Sequence, residues 1–462
     1  MHLLSSLALL LAATASAKRV VPINIEKAPG SDLPERRLRR RAHFEESLEN
    51  NRTGYFAYVD IGTPPQTIKM HVDTGSTDVW VLSKTVDLCN NVTLQDEFGR
   101  CYDTFDASKS STFKPVVRDG FIIQYLDGTG AAGDYFNDSI NLGGANLQSM
   151  QMGIAYNSTN QWAMMGVGFS ENVNAETPFP GLIDQLLLQG MIGVKAYSLW
   201  LNDMESATGT ILFGGLDTEK FTGTLKSLPL IPDKTTNTTR EFVVNLTSVA
   251  VANKDRTITA SNPAAVPVLL DSGTTLTYLP GSITSKIFAE LKAVDDTRTK
   301  SGSGDVYVDC NLRNDASLEL RYQFGGQNGP LISVPAVDLI FDLPGKGDID
   351  FPILPFPTSR ACSLGIQRDD KNFILGDTFL RSAYVVYDLT HNQVALAQSI
   401  QNATNSNVIE IEAASQGIPA ANGTGTTKKD NAAPLGMPAS AAAGAAMAAF
   451  VSLLVGGALL VL

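Results

Sequence analysis

Cysteine and histidine are scarce in this chain of 462 residues. There are four of each; no two cysteines form a C-x-x-C pair, and the histidines are scattered at His2, His43, His71 and His391. Clustered thiolate and imidazole ligands are therefore missing, and neither a metal nor any other cofactor is expected. No G-x-S-x-G occurs, which removes the nucleophile elbow of serine hydrolases. Basic stripes are also lacking beyond Arg41: the net charge is −12, and because Lys18 to Arg41 carries eight basic and three acidic residues, the remainder carries −17. Such a surface repels phosphate backbones, so a nucleic-acid partner is excluded. With 44% hydrophobic and 18% charged residues, the length suits two ordinary globular domains.

The apolar opening "MHLLSSLALLLAATASA" ends in Ala15-Ser16-Ala17, a small-x-small cleavage pattern, and predicts a secretory signal over 1–17. It is too short to span a bilayer. Secretion is oxidising, and four cysteines allow three pairings. The local one, Cys89 with Cys101 and Cys310 with Cys362, is favoured; loop-closure entropy would make these crosslinks worth roughly 3 and 4 kcal/mol. Asn-x-Ser/Thr triplets at Asn51, Asn91, Asn137, Asn157, Asn237, Asn245, Asn402 and Asn422 fit a glycosylated surface.

Arg36 to Arg41 has five arginines in six positions, and marks a processing site that ends a pro-segment over 18–41 and starts a processed chain at Ala42. A solvated charge run is the plainer alternative. From Tyr55 to about Ser399, short β-rich runs such as "YFAYVDIG", "VPVLLDS" and "SAYVVYDL" alternate with Gly, Pro, Asn and Asp, which predicts a mostly β protein. "GLIDQLLLQG" and "GSITSKIFAELKAV" are the best helix candidates. Residues 401–438 read as a flexible stalk, and 439–462 form a charge-free apolar tail of 24 residues. A transmembrane helix is one reading of that tail. Lys428 and Lys429 on the luminal side and small residues at Asn431-Ala432-Ala433 favour a GPI signal instead, with Asn431 as acceptor and Asn422 or Gly423 as alternatives.

One motif recurs. "HVDTGST" at 71–77 returns as "LLDSGTT" at 269–275, and each is followed about a hundred residues later by two apolar residues and a glycine, Met164-Met165-Gly166 and Ile374-Leu375-Gly376. A lone Asp-Ser/Thr-Gly is common turn chemistry. Two copies in matching contexts, 198 residues apart, point to related lobes that bring Asp73 and Asp271 together. Two carboxylates within hydrogen-bond distance share one proton, so one acts as base while the other acts as acid on a water attacking a peptide carbonyl. Gly75 and Gly273 let the backbone turn and bring amides to the carboxylates. Thr74 and Ser272 can tie the two loops together, and Ser76 and Thr274 can bond the outer carboxylate oxygens.

On these residues the chain resembles the pepsin-family aspartic endopeptidases from about Tyr55 to Ser399: "VDTGSTDVWV" and "LLDSGTTLTYLP" are similar to the two active-site loops, and "FILGDTFLRSAYVVYDLTHNQVALA" to the closing strands. The resemblance implies a bilobal acid-protease fold, with lobes over 42–215 and 216–400 and the cleft between them. It implies a monomer acting on peptide and protein substrates. "FIIQYLDGTGAAGDYFND" then becomes the flap that covers substrate, with Tyr125 its tyrosine, Asp127, Gly128 and Thr129 its tip, and Gly128 and Gly130 the source of mobility. Leu126 departs from the glycine usual there. Signal, arginine-ended pro-segment, the insertion closed by Cys89 and Cys101, and the GPI-like tail are together most similar to the fungal yapsins. That implies a GPI-anchored surface enzyme cleaving after basic residues, with Asp127, Asp87, Asp96 and Glu97 as sources of negative charge. An inactive pepsin-fold binding or inhibitor protein is the alternative, and the intact loops argue against it.

Overall fold

The computed structural model describes residues 19–27, 54–204, 208–260, 265–297, 304–343, 352–412 and 417–425. The expected signal peptide, the arginine run, Asn51, Asn431 and the apolar tail lie outside the described residues. Ten strands open the chain: β1 (Val21–Lys27), β2 (Tyr55–Ile61), β3 (Gln66–Asp73), β4 (Val79–Leu82), β5 (Lys114–Gln124), β6 (Gly130–Leu142), β7 (Ala145–Ser158), β8 (Ala163–Gly166), β9 (Ala196–Trp200) and β10 (Thr208–Phe213). They belong to one thirteen-stranded sheet, completed by Phe221–Pro229, Ala383–Asp388 and Gln393–Ser399. β4 and β8 are buried at every position, which is why "VWVL" and "AMMG" read as unbroken apolar runs rather than alternation.

The second half forms an eight-stranded sheet built around Val243–Ala252, Val266–Leu270, Thr277–Leu279 and Ile374–Leu375. Its motif strands repeat the topology of the first half. β3 runs parallel to β8, with Asp73 opposite Gly166, while β4 runs antiparallel to β8. Likewise Leu269 and Leu270 lie parallel to Ile374 and Leu375, and Thr277–Leu279 runs antiparallel to the latter pair. The two lobes are joined by the large sheet, in which β9 pairs with Ala383–Asp388 from the far end of the chain. Both helix candidates are helical, over Leu182–Leu188 and Gly281–Leu291. In the latter, Ile283, Ile287, Phe288 and Leu291 are buried along one face, and Lys292 closes it in the left-handed conformation. Disulfides join Cys89 to Cys101 and Cys310 to Cys362.

Two segments outside the expected lobes pair with the body. Within the expected pro-segment, β1 is a strand of the large sheet with Val21, Ile23 and Ile25 buried, a clean period-two pattern. Within the expected stalk, the described residues 401–412 and 417–425 also pack on it. Val408–Glu410 pairs with Gly215–Asp217, Ile411 and Ala421 are buried, and the Asn407 amide donates to Asp217 at 2.8 Å. A few apolar residues among the Asn, Thr and Ala suffice to seat this segment on the body.

Candidate active site

The end of β3 and the end of Val266–Leu270 deliver Asp73 and Asp271 to the same place. Each is the last apolar-flanked position before a Thr-Gly-Ser or Ser-Gly-Thr turn, and they are 4% and 7% exposed. Their surroundings are near mirror images. The Gly75 amide donates to Asp73 Oδ1 at 2.8 Å, and the Gly273 amide to Asp271 Oδ1 at 2.8 Å. The Ser76 hydroxyl donates to Asp73 Oδ2, and the Thr274 hydroxyl to Asp271 Oδ2 at 2.6 Å.

The loops are tied by reciprocal bonds. The Thr74 amide donates to Ser272 Oγ at 3.2 Å and the Ser272 amide to Thr74 Oγ1 at 3.0 Å. Each hydroxyl then donates across the lobe boundary, Thr74 to the Leu270 carbonyl at 3.0 Å and Ser272 to the Val72 carbonyl at 2.9 Å. Thr74 and Ser272 are buried, so each amide and hydroxyl finds its partner in the other loop rather than in water. Glycine is needed where the carboxylates meet the opposite turn: a Cβ on Gly75 would lie 2.7 Å from Asp271 Cγ, and one on Gly273 would lie 2.3 Å from Asp73 Oδ1. Below, Gly166 and Gly376 let β8 and its counterpart pass under the turns, since a Cβ would lie 2.5 Å from the Thr77 carbonyl carbon and 2.2 Å from the Thr274 oxygen respectively.

Burial first, and the Asp271 charge second, push the Asp73 carboxyl up to about 7, against the hydrogen bonds from Ser76 and Gly75. The pair therefore retains one proton across the acidic range.

β5 and β6 form the hairpin that carries Tyr125. Its amide donates to the Thr129 carbonyl at 2.8 Å, and the Gly128 amide to the Tyr125 carbonyl at 3.0 Å, closing the tip. Trp80 Nε1 donates to the Tyr125 hydroxyl at 2.9 Å. Burial, then the Asp73 charge, hold that hydroxyl well above its ordinary range, opposed by the hydrogen bond from Trp80. Gly128 has φ +81° and open space around it, as a tip glycine requires. Gly130 plays another part: it pairs with Gln124, and a Cβ there would lie 2.5 Å from the Ile123 carbonyl oxygen, so it permits close strand approach rather than mobility. Leu126 is 74% exposed at the tip.

The acids read as sources of negative charge are placed differently. Asp87 is occupied in structure, accepting from the Leu88 and Ser158 amides at 2.7 and 2.9 Å and from Asn157 Nδ2 at 3.1 Å. Asp127 Oδ1 accepts from the Thr129 amide and hydroxyl at 2.9 and 2.7 Å, while its charge still acts on Tyr278 of the facing lobe. Asp96 and Glu97 are exposed on the helix Val92–Phe98 of the disulfide-closed insertion. Among the sequon asparagines, Asn91, Asn157, Asn237, Asn245, Asn402 and Asn422 are exposed and Asn137 is partly buried on β6.

Sequence reading overlooked two acids. Asp377, next to Gly376, is fully buried; burial pushes its carboxyl far up, opposed by Arg381, and the Asp271 charge adds to the rise. Glu241 is exposed beside Phe242, and partial desolvation raises its carboxyl, opposed by the Arg240 charge, with smaller contributions from Asp233 and Asp271. "ILGDT" carried a signal for the first; nothing local marked the second.

Two β lobes with a paired Asp-Thr-Gly and Asp-Ser-Gly at their junction, under a hairpin flap, define a two-lobed aspartic protease. The chain belongs to the eukaryotic aspartyl protease family, whose model matches residues 54–399, and it is an aspartic-type endopeptidase. It is 38% identical over 412 residues to the probable aspartic-type endopeptidase opsB of Aspergillus fumigatus, covering 87% of this chain and 81% of that one. It is 32% identical over 377 residues to secreted aspartic protease 6 of Candida albicans, covering 80% and 82%. The crystal structure of the aspartic proteinase from Irpex lacteus superposes with a TM-score of 0.58 at 20% identity, over 85% of this chain and 100% of that one.

Proposed function

We propose that Asp73 and Asp271 are the catalytic pair of this endopeptidase. The observation that carries the reading is the reciprocal tie between the two loops, which holds two buried carboxyls face to face with their outer oxygens already bonded to Ser76 and Thr274. With one shared proton, the ionised carboxylate takes a proton from a water as it attacks the scissile carbonyl, and the protonated one donates to the carbonyl oxygen. The proton taken from water then passes to the leaving amine, while the other carboxylate takes a proton back from a hydroxyl of the tetrahedral diol as the carbonyl re-forms and the C–N bond breaks, so the pair returns to its starting state. Tyr125, held by Trp80, covers the reacting bond and excludes bulk water.

Because only the singly protonated pair works, activity is tied to the raised Asp73 carboxyl. Above about pH 7 the pair loses its last proton, and kcat/KM is expected to fall about tenfold per pH unit. A pH–rate profile that keeps climbing through neutrality overturns the mechanism.

Cleavage after basic residues is the proposed specificity. The net charge of −12 and the exposed Asp127 at the flap tip support it. Profiling cut sites in a peptide library is expected to show Lys or Arg enriched at the residue before the cut. Enrichment of large apolar residues there instead would refute the assignment.

The proposed location is the outer cell surface through a GPI anchor. The small-residue site, spacer and apolar tail support this, as does the secreted nature of the named Candida relative. A phospholipase that cuts GPI anchors is expected to release the protein from intact cells, whereas retention with an intact C-terminal peptide supports a transmembrane helix.

A further inference from the structure

Asp78 takes no part in the chemistry described so far, yet it is 1% exposed and stands between the Asp73 turn and Trp80. A buried carboxyl is costly unless its oxygens are bonded. Asp78 is met by donors from two other parts of the molecule, none of them a cation. The Tyr135 hydroxyl donates to Oδ1 at 2.9 Å, and the Asn174 amide and Asn174 Nδ2 both donate to Oδ2, at 2.8 and 3.0 Å.

Tyr135 lies on β6, the returning strand of the flap hairpin. Asn174 lies on the loop from Gly168 to Gly181, whose start is fixed beside the Asp73 turn: the Gly168 amide donates to the Ser76 carbonyl at 2.9 Å, and the Thr77 hydroxyl to the Phe169 carbonyl at 2.8 Å. The loop closes on itself where the Gly181 amide donates to Ser170 Oγ at 2.8 Å. One carboxyl therefore joins the strand that follows the Asp73 turn, the flap and this loop.

From Tyr135 the packing runs to Tyr125 without slack. The Tyr135 ring stands edge-on to Phe121 of β5, with centroids 5.5 Å apart, and edge-on to Phe179 of the loop at 5.3 Å. Phe121 is fully buried and tilts on Trp80 at 5.8 Å, and Trp80 in turn holds the Tyr125 hydroxyl. Behind Phe121, β7 comes so close that a Cβ on Gly153 would lie 2.8 Å from the Phe121 ring. In so close-packed a cluster, a ring that loses its anchor displaces its neighbours.

We propose that Asp78 is a positioning residue for peptide hydrolysis: through Tyr135, Phe121 and Trp80 it sets where Tyr125 stands over the dyad. This rests on Tyr125 covering the reacting bond. Asp78 itself touches neither substrate nor the reacting atoms. Displacing a group at the reacting centre by about 1 Å costs about 10²-fold, so loosening the anchor is read in the rate.

Tyr135→Phe is the mildest test, because it deletes one hydroxyl and keeps the ring. It is expected to lower kcat/KM at least about fivefold per active site, with sites counted by titration with a tight-binding peptide inhibitor so that unfolded protein does not enter the rate. Asp78→Ala is expected to lose about 10²-fold by the same measure. Asp78→Asn is expected to stay within about threefold of the unsubstituted enzyme, since its Oδ1 can accept from the Asn174 amide while its Nδ2 donates to the Tyr135 oxygen. A double-mutant cycle then separates positioning from stability. In a Tyr125→Ala background, Tyr135→Phe is expected to change kcat/KM by less than about twofold, because nothing is left to position. Undiminished kcat/KM in Tyr135→Phe overturns the inference, and so does a Tyr135→Phe loss of equal size in both backgrounds, the mark of a merely structural role. Damage in Asp78→Asn equal to that in Asp78→Ala would show that the charge acts rather than the bonding geometry, and overturns it as well. If Tyr125→Ala alone leaves kcat/KM unchanged, the flap reading falls and takes this inference with it; a damaged Tyr125→Ala beside an unaffected Tyr135→Phe sinks this inference alone.

Discussion

Replacing Asp73 by asparagine is expected to lower kcat by about 10⁴-fold or more, and Asp271→Asn to do the same, while both proteins fold. Each aspartate carries a proton in one direction of the reaction, and positioned proton transfer contributes roughly 10²–10⁴-fold per group. Losing either group also removes the shared proton, so the losses do not add, and the double variant should be little worse than each single one. Asparagine preserves the shape: its Oδ1 can accept from the Gly75 amide, and its amide can donate to Ser76 Oγ, replacing the bonds that Asp73 makes. Activity within tenfold of wild type in either single variant overturns the dyad.

The same substitution carries a stability signature whose sign follows from the raised carboxyl. Asp73 binds its proton up to about pH 7 in the folded chain but only up to its ordinary value of 3.8 when unfolded. Between these values the folded state holds more protons, so stability falls as pH rises through that window. The penalty is absent below about pH 4 and complete above about pH 7, where it amounts to on the order of 4 kcal/mol before relaxation. Asparagine has no such penalty. Asp73→Asn should therefore melt higher than wild type at pH 7, and the difference should shrink at pH 4. A Tm difference that ignores pH would place the destabilising charge elsewhere.

Gly273→Ala is expected to damage catalysis nearly as severely, for a steric reason. The added Cβ would lie 2.3 Å from Asp73 Oδ1 and 3.1 Å from Asp271 Oδ1. Neither carboxyl can retreat cheaply, because Asp73 is held by the Gly75 amide and Ser76, and Asp271 by the Gly273 amide and Thr274. The loops must separate, which breaks the reciprocal Thr74 and Ser272 bonds. A displacement of about 1 Å at reacting groups costs about 10²-fold, so kcat should fall at least that far, with a stability loss of about 1–3 kcal/mol. Gly75→Ala should behave alike, since its Cβ would meet Asp271. Near-normal kcat in both would mean that the lobes stand further apart than described.

The chemistry of the site was legible because it is local and doubled. Asp73 to Ser76 and Asp271 to Thr274 each specify their own turn, their own amide bond to a carboxylate and their own outer hydroxyl. Repetition of so specific a turn leaves little room for another purpose. The apolar runs on either side marked the strands, and the two helices announced themselves by period.

Other features depend on what lies far away in sequence. Which acids keep a free charge near the cleft was not legible: Asp87 and Asp96 belong to one insertion, yet Asp87 is spent on Ser158 and Asn157 of β7. Gly130 resembled Gly128 on paper, and only the pairing of β5 with β6 separates a strand contact from a tip. Glu241 had no local mark at all.

By itself the sequence determined a mostly β chain with two aspartate turns and the acid–base chemistry they support, since side-chain chemistry and short-range turn geometry are written in adjacent residues. Only the tertiary structure decided that Thr74 and Ser272 bond across the lobes, that β1 and Gln393–Ser399 share one sheet, and that β1 belongs to the body. Those facts depend on sheet pairing between segments up to hundreds of residues apart. Burial and hydrogen-bond satisfaction of the whole molecule, not the residues on either side, select such pairings.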